Sequence, residues 1–442
     1  TKINGNYKIG GVTMKTYTCI WLWLLVVFAA VADIHAEQPA AIGPEEFSFF
    51  QWGPLRGLDA DVAGWDIHLG GQLAGVAIKY DPNNTKSDGF RWEAVNPLVS
   101  GTYENRYVFH VEADLLGIDT RNNLYEAWAG WNLHPAFGLK AGQIKVALNT
   151  EFATRPENFP SFDYGFSSYL DGRYDLGLQI DGSLWSNAIW YEASGVWGEG
   201  FDLDGNRKSE PQFSIRTVVS PLIGLGYEWL KGAFVGFSYA YSPDYDDKIF
   251  LDTPLKSTVF TTVDLDGESA DWQHAEIGWY WGPFRMSAER VEGAVYDVKI
   301  SGGGKEDFDQ LDSWSAYGSW YITGQRVRWD RGRWLPPKVK AGPEDKRQIF
   351  DFLSFLDPLG CLEIAFRYVN ADIDRKLFDF GLTNYEISSQ EVRTATLNLN
   401  WYPKPGLRIS GAWVKVIADQ YLSTFGGSNR DSSVVLRAIL TF

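Results

Sequence analysis

FGLKAGQIK (Phe137–Lys145) and YDLGLQIDGSL (Tyr174–Leu184) are the two segments of the sequence that decide the fold. In each segment apolar residues alternate with other residues, as Leu176, Leu178 and Ile180 do in the second. Alternation of this kind predicts a half-buried β-strand. The pair therefore predicts two neighbouring strands.

The stretch between these strands, Val146–Arg173, has 28 residues and is too long for a hairpin turn. Long connections inside a compact fold are usually functional or disordered. A high content of aromatic rings argues against disorder; the rings are Phe152, Phe159, Phe162, Tyr164, Phe166 and Tyr169. Because these rings must be buried, we expect the stretch to fold into the lumen if its two strands belong to a wide barrel.

The composition favours a β-rich protein. Aromatic residues make up 16% of the 442 residues and Met occurs only 2 times, which suits strands better than helix bundles. The formal net charge is −16, so nucleic acid is excluded as a partner, because it binds basic surfaces. Of the two cysteines, Cys19 falls in a segment that we expect to be removed, and Cys361 is left alone. We therefore expect no disulfide, and no zinc site built from cysteines.

The N-terminal region has the pattern of a targeting segment. Residues 1–13 read as an upstream extension without structure, and Met14 fits as the start. A basic residue, the apolar run Cys19–Val31 and small residues after it predict a signal peptide over residues 14–36. The alternative is a membrane-anchor helix, but the run of 13 residues is shorter than the roughly 20 that a span needs. Residues 37–63 then form an N-terminal segment with a candidate first strand near Phe47–Leu55, and residues 64–442 form the main domain.

Alternation continues along the chain and predicts fifteen strands. They lie at Trp65–Tyr80, Arg106–Leu116, Leu124–Asn132, Phe137–Lys145, Tyr174–Leu184, Ala188–Trp197, Gln212–Val219, Gly232–Ser242, Trp272–Trp281, Phe284–Ile300, Trp314–Tyr321, Gly360–Asn370, Val392–Trp401, Gly406–Val416 and Ser433–Phe442. The candidate strand near Phe47 would be the sixteenth. Short connections such as Gly282–Pro283 alternate with long ones such as Pro243–Asp271, which is typical of an outer-membrane barrel. We predict an all-β, 16-stranded antiparallel transmembrane β-barrel with an inward-folded third loop, wide enough for an aqueous channel.

Aromatic residues also fall where a membrane-interface girdle would need them. The tryptophans concerned are Trp131, Trp197, Trp229, Trp279, Trp281, Trp320, Trp401 and Trp413. The last strand ends in a terminal Phe442, which resembles the C-terminal signal of outer-membrane barrels. The alternative is a soluble β-sandwich, in an exported enzyme or binding protein that acts on polysaccharide. One apolar face persists over most of the chain and favours the barrel.

Several stretches together resemble the phosphate-selective porin O/P family. They are LYEAWAGW (Leu124–Trp131), LKAGQIKV (Leu139–Val146), GRYDLGLQIDG (Gly172–Gly182), WYWGPFRMSAERV (Trp279–Val291), WSAYGSWYITGQ (Trp314–Gln325), WDRGRW (Trp329–Trp334), LEIAFRYVNADI (Leu362–Ile373) and LNLNWYPKPGLRISGAWVKV (Leu397–Val416). The resemblance implies a homotrimeric, anion-preferring porin of a Gram-negative-type outer membrane, in contact with lipid and lipopolysaccharide. It also implies that the third extracellular loop, here Val146–Arg173, and a late periplasmic connection, here Ile322–Leu359, fold into the lumen.

The sequence departs from the family in two respects. The acidic-basic-serine stretch of the third loop is replaced by PSFDYGFSSY (Pro160–Tyr169). The net charge is strongly negative, whereas a phosphate channel needs a basic path. We therefore expect a weak anion preference without a tight phosphate site.

Two basic features are candidates for the constriction and anion path. Arg155 and Arg173 bracket the third loop, with Ser167 and Ser168 between them. The connection Gln325–Lys340 carries Arg326, Arg328, Arg331, Arg333, Lys338 and Lys340 against Asp330. Guanidinium groups match phosphate geometry, so we predict that Arg155, Ser167, Ser168, Arg173, Arg326, Arg328, Arg331 and Arg333 form this path. The alternative is a solvated loop, or contacts to carboxylates of the lumen.

The same alternation assigns a mixed set of charged side chains to the lumen wall. They are Arg106, His110, Glu112, Asp114, Glu126, Asp175, Asp181, Glu192, Arg216, Glu276, Arg285, Glu289, Arg367 and Arg408. DLDGN (Asp202–Asn206) and DLDGE (Asp264–Glu268) resemble fragments of calcium loops, but neither is complete. We find no catalytic triad, phosphate loop or metal signature. The sequence therefore predicts a porin that passes small hydrophilic solutes or anions, with no cofactor and no enzyme activity.

Overall fold

The computed structural model describes residues 57–116, 124–162, 164–165, 173–197, 210–339, 356 and 358–442. The upstream extension, the signal peptide and the candidate strand near Phe47–Leu55 lie outside the described residues, as does the Asp202–Asn206 fragment.

Sixteen antiparallel strands form a closed barrel, which confirms the predicted fold class. Each strand pairs with its neighbours along the chain, and the last strand pairs with the first, for example Leu436 with Ala77. The strands are β1 Trp65–Lys79, β2 Gly89–Tyr103, β3 Tyr107–Ala113, β4 Leu124–His134, β5 Phe137–Val146, β6 Arg173–Leu184, β7 Ile189–Val196, β8 Gln212–Val219, β9 Phe234–Ser242, β10 Ser269–Trp281, β11 Phe284–Lys299, β12 Lys305–Tyr321, β13 Cys361–Asp372, β14 Glu391–Lys404, β15 Leu407–Leu422 and β16 Ser428–Thr441.

β2 is the strand that the sequence pattern did not reveal, and it takes the sixteenth place that we had assigned to the segment near Phe47. Pro97 lies within β2 and is exposed, and proline counts against a strand in sequence patterns. A bulge opposite Ala74 and Gly75 also shifts the alternation of β2. The other fifteen strands overlap the predicted ones. A further strand, Leu58–Val62, pairs only with the first residues of β1.

The connections are mostly short at one end of the barrel and mostly long at the other, as predicted. Two-residue turns lie at 135–136, 282–283 and 405–406. The third connection at the long-loop end is residues 147–172, between β5 and β6. The long connection 322–360 lies at the short-turn end, where the resemblance placed it.

Side chains alternate between an exposed outer face and a buried face around the barrel. In β16, Leu436 and Ala438 are exposed, while Val435 and Arg437 are buried. All of the predicted lumen residues lie on the buried face except Arg106, for which the prediction is wrong: Arg106 lies in the turn between β2 and β3 and is exposed. The alternation stops where a strand ends, so the period could not place this residue.

Part of the barrel interior is filled by an apolar core near the long-loop end. The connection between β9 and β10 contains two small antiparallel ladders. Their side chains, such as Leu251 and Phe260, pack with Leu377, Phe378 and Phe425 against the buried face. The helices among the described residues are short, for example Thr150–Ala153 and Lys376–Asp379. Among the described residues, no helix is both long enough and apolar enough to cross a membrane.

The exposed face of β16 gives a direct test of the register. Leu436 lies midway along β16, whereas Ser432 lies opposite the native lysine Lys415 of β15. If lipid covers this face, Leu436→Lys should lower the free energy of folding into a bilayer by about 2–4 kcal/mol, and Ser432→Lys by about 0–1 kcal/mol. Urea titration of barrels in lipid vesicles measures both costs. Equal costs for the two lysines would contradict the placement of Leu436 at mid-membrane.

Candidate functional site

Residues 147–162 of the third connection are here called the third-loop segment. It begins with the short helix Thr150–Ala153, whose first turn is capped by Asn149: the Asn149 side-chain oxygen accepts a hydrogen bond from the Phe152 amide at 2.8 Å. An asparagine in extended conformation is a favoured N-cap. The cap fixes the direction in which the chain leaves β5.

Charged hydrogen bonds connect this helix to strands on distant parts of the barrel. Glu151 accepts from Arg367 of β13 at 2.6 Å and from Ser315 of β12 at 3.3 Å. The Thr150 amide donates to Glu276 of β10 at 2.9 Å. The helix therefore lies against the buried face of at least three strands.

Arg408 of β15 holds the second half of the third-loop segment by its backbone. Its guanidinium donates to the carbonyl oxygens of Phe159 at 2.6 Å and of Glu157 at 3.2 Å, and to the side-chain oxygen of Asn400 at 2.9 Å. Arg437 of β16 donates to the carbonyl oxygen of Phe162 at 2.7 Å. Five planar donors make arginine suited to this multiple contact.

The four described rings among those that we expected to be buried are indeed buried, namely Phe152, Phe159, Phe162 and Tyr164. Phe159 packs edge-on against Tyr317 of β12, with ring centroids 5.2 Å apart. Phe162 joins the apolar core, and the Arg437 guanidinium lies 5.3 Å from its ring centroid. Phe166 lies outside the described residues.

A hairpin in the 322–360 connection supplies a second part of the site. Arg328–Asp330 pairs with Arg333–Leu335, and the two turn residues between them, Arg331 and Gly332, both have positive φ, 46° and 73°. Turns of this kind match the twist of short hairpins. The Gly332 carbonyl accepts from Arg216 of β8 at 2.8 Å. A Cβ at position 332 would lie 3.0 Å from Arg216, so glycine suits both the φ and the close contact.

Tryptophans hold the hairpin against buried side chains of the barrel wall. Trp334 is fully buried; its amide donates to the Thr154 hydroxyl at 3.0 Å, and its indole nitrogen donates to Tyr317. Trp329 stacks on Phe234 of β9 with centroids 4.1 Å apart. The hairpin and the third-loop segment are thus in direct contact.

Between these parts lies a cavity of about 190 Å³. Its wall combines strands β3–β7, the third-loop segment, the hairpin and the ends of β14–β16. Six basic side chains of the described residues line it, namely Lys140, Lys145, Arg155, Arg331, Arg333 and Arg408. Four acidic side chains do so, namely Glu126, Glu157, Asp181 and Glu192. The cavity is therefore more basic than the chain as a whole.

Two arginines of the cavity differ in their electrostatic surroundings. Arg155 pairs with Glu112 of β3 at 2.9 Å and with Glu157 at 2.7 Å. Burial opposes the charge of Arg155, but these carboxylates outweigh it and raise its pKa well above the ordinary value. Burial, with a smaller contribution from Arg331, lowers the pKa of Arg333. Arginine remains charged in proteins in either case.

The structure brings together three of the eight predicted site residues. Arg155, Arg331 and Arg333 line the cavity. Arg326 is exposed, and Arg328 donates to the Pro336 carbonyl at 3.3 Å; neither is part of the lining. Ser167, Ser168 and the side chain of Arg173 lie outside the described part of the chain.

Sequence reasoning missed Lys140 and Lys145, which line the cavity. Lys140 lies between the outward-facing Leu139 and Ala141. The period of two that assigned Asp181 to the lumen wall could therefore have assigned Lys140 to it as well. Its ammonium lies 2.7 Å from Asp181 on the neighbouring strand. Lys145 follows Gly142, whose φ of 129° is unusual within the continuous strand β5, and the period of two assigns Lys145 to the opposite face from Lys140.

Known proteins resemble this chain in sequence and in fold. The family described as phosphate-selective porin O and P matches residues 97–442. A curated relative, Porin O of Pseudomonas aeruginosa, is 23% identical over 417 residues, which cover 84% of this chain and 87% of the relative. Two solved structures share the fold. The outer membrane channel DcaP of Acinetobacter baumannii has a TM-score of 0.53 at 13% identity, over 88% of this chain and 100% of that chain. An anion-selective porin from Comamonas acidovorans has a TM-score of 0.52 at 8% identity, over 86% and 100%.

The buried pair between Glu151 and Arg367 should be important for stability. Glu151→Gln removes one charge and leaves the Arg367 guanidinium buried beside a neutral amide, which should lower the free energy of unfolding by about 3–5 kcal/mol. Asp312→Asn is the matched control, because Asp312 pairs with Arg290 where both side chains are about half exposed; it should cost about 0–1 kcal/mol. Urea unfolding in detergent measures both. A Glu151→Gln barrel as stable as the control would show that this pair does not hold the segment.

Proposed function

Because this chain belongs to the phosphate-selective porin O and P family and is an outer-membrane porin, we propose that small hydrophilic solutes pass through its basic cavity with a weak preference for anions. The family and the structural neighbours indicate a channel rather than an enzyme. The observation that carries the anion preference is the excess of basic over acidic side chains on the cavity wall.

Charge close to the permeating ion matters more than the net charge of the chain. The Debye length is about 8 Å at physiological salt, so carboxylates on the outer loops are largely screened from the cavity. Field lines focus in a narrow, water-filled passage with low-dielectric walls. The net charge of −16 is therefore compatible with anion passage past Arg155, Arg331 and Arg333.

The third-loop segment serves in this proposal as the inward-folded constriction. Its contacts to β3, β10, β12, β13, β15 and β16 support this role, because one short segment can reach all of these strands only from the buried side. Of the predicted anion path, Arg155, Arg331 and Arg333 carry the role, whereas Arg326 and Arg328 lie outside the cavity wall.

A homotrimer fits the lengths of the strands. A transmembrane strand needs about 9–11 residues, whereas β3 has 7 residues and β7 and β8 have 8 each. These three strands are too short to face lipid alone, and two further copies of the chain would cover them. The remaining outer face, with exposed Trp401 and Trp413, contacts outer-membrane lipid and lipopolysaccharide.

Replacing the two hairpin arginines of the cavity tests the anion preference. In a planar bilayer under a salt gradient, the wild type should have a reversal potential displaced toward that of the anion. Arg331→Gln combined with Arg333→Gln removes two positive charges from the cavity wall, so the reversal potential should move toward that of the cation.

The matched control is Arg326→Gln combined with Arg328→Gln, which removes the same charge from the same connection but not from the lining. It should leave the reversal potential unchanged. A wild type that prefers cations, or equal effects of the two double variants, would refute the anion path.

A further inference from the structure

Three side chains gather at one edge of the cavity and form a set of metal-ligand types. His110 and Glu112 are two residues apart on β3 and share its buried face. Glu126 of β4 lies directly opposite Glu112 in the strand register. One ligand atom from each of the three residues lies within 4.8 Å of the others.

Neighbouring side chains hold these groups in place. Arg155 binds one oxygen of Glu112 at 2.9 Å, and the other oxygen lies 3.4 Å from Nε2 of His110. The indole of Trp128 donates to Glu126 at 2.9 Å and stacks on the His110 ring, with centroids 5.8 Å apart. Outer groups that orient ligands in this way are typical of protein metal sites.

Carboxylates lie close together at this edge of the cavity. Like charges directly opposite each other on paired strands are destabilising, and Glu112 and Glu126 are such a pair. Glu157 adds a third carboxylate through Arg155. Arg155 and Lys145 each interact with all three carboxylates. A cation bound between Glu112 and Glu126 would relieve their repulsion.

We propose that His110, Glu112 and Glu126 bind a divalent transition-metal cation of the zinc type. One imidazole nitrogen and two carboxylate oxygens suit zinc, whereas calcium and magnesium prefer oxygen ligands alone. Bonds of about 2.1 Å in a tetrahedral site place ligand atoms about 3.4 Å apart, which matches the separation of His110 and Glu112. His110 and Glu126 also line the cavity, so a fourth position is open to water.

Occupation of this site adds two positive charges to the cavity wall beside Arg155. The ion would therefore change the current that the channel carries. Zinc binding depends only on the three ligands and not on which ions the channel prefers. The proposal of a metal site and the proposal of an anion path can therefore be refuted separately.

Calorimetric titration of zinc chloride into the untagged, metal-stripped barrel in detergent tests the proposal. We expect one zinc ion per chain, with an affinity lowered at least about tenfold in His110→Asn and in Glu126→Gln. His134→Asn is the matched control, because His134 lies at the other end of β4 from Glu126, and it should bind zinc like the wild type. Gel mobility before and after heating shows that each variant is folded.

Three outcomes would overturn the proposal. They are a wild type that binds no zinc, variants of His110 and Glu126 that bind it unchanged, and equal competition by magnesium. The first two would mean that His110 only packs beneath Trp128, and the third that the carboxylates form an unselective acidic cluster.

Discussion

Charged hydrogen bonds between arginines of the buried face and the third-loop segment fix this segment to the strands of the barrel. Arg367 binds the Glu151 carboxylate, while Arg408 and Arg437 bind backbone carbonyls of the segment. A guanidinium cannot be buried in a low-dielectric interior without partners. The segment supplies those partners as carboxylate and carbonyl oxygens. In turn, the arginines satisfy backbone carbonyls of the segment that have no partner strand to bind them. The hairpin that carries Arg331 depends on the same arrangement, because Trp334 binds Thr154 of the segment.

Most arginines of the wall are used for structure, and this limits where selectivity can arise. Arg285 lies 2.5 Å from Glu363 and Arg216 lies 3.0 Å from Glu276, and all four side chains are buried. Pairs of this kind are locally neutral and contribute little field to a passing ion. The apolar core at the long-loop end removes a further part of the interior from water. The cavity beside Arg155 is a region of the described interior where basic side chains and solvent-accessible space coincide.

The period of two was enough to predict the barrel, the two faces of its strands and thirteen of the fourteen wall residues, because side chains of an extended chain alternate strictly. It failed where the backbone is irregular, at Pro97 and the bulge in β2 and at Gly142 in β5. It could not predict partners, because Glu151 and Arg367 are 216 residues apart. The sequence also could not show that Arg331 and Arg333 line the cavity whereas Arg326 and Arg328 do not. This difference depends on a two-residue turn whose Gly332 carbonyl binds Arg216. The ligand set around His110 joins two strands and has no linear signature.

The account as a whole requires that solutes pass through the basic cavity, and thiol labelling tests this most directly. Asn158 is half-buried, lines the cavity and makes none of the ion pairs described above, so Asn158→Cys places a reactive group in the proposed path. Cys361 is buried, and the wild type should therefore not respond to the reagent. The account predicts that attaching a bulky, uncharged thiol reagent to Cys at position 158 sharply lowers single-channel conductance. Complete labelling, verified by mass spectrometry, with unchanged conductance would contradict it.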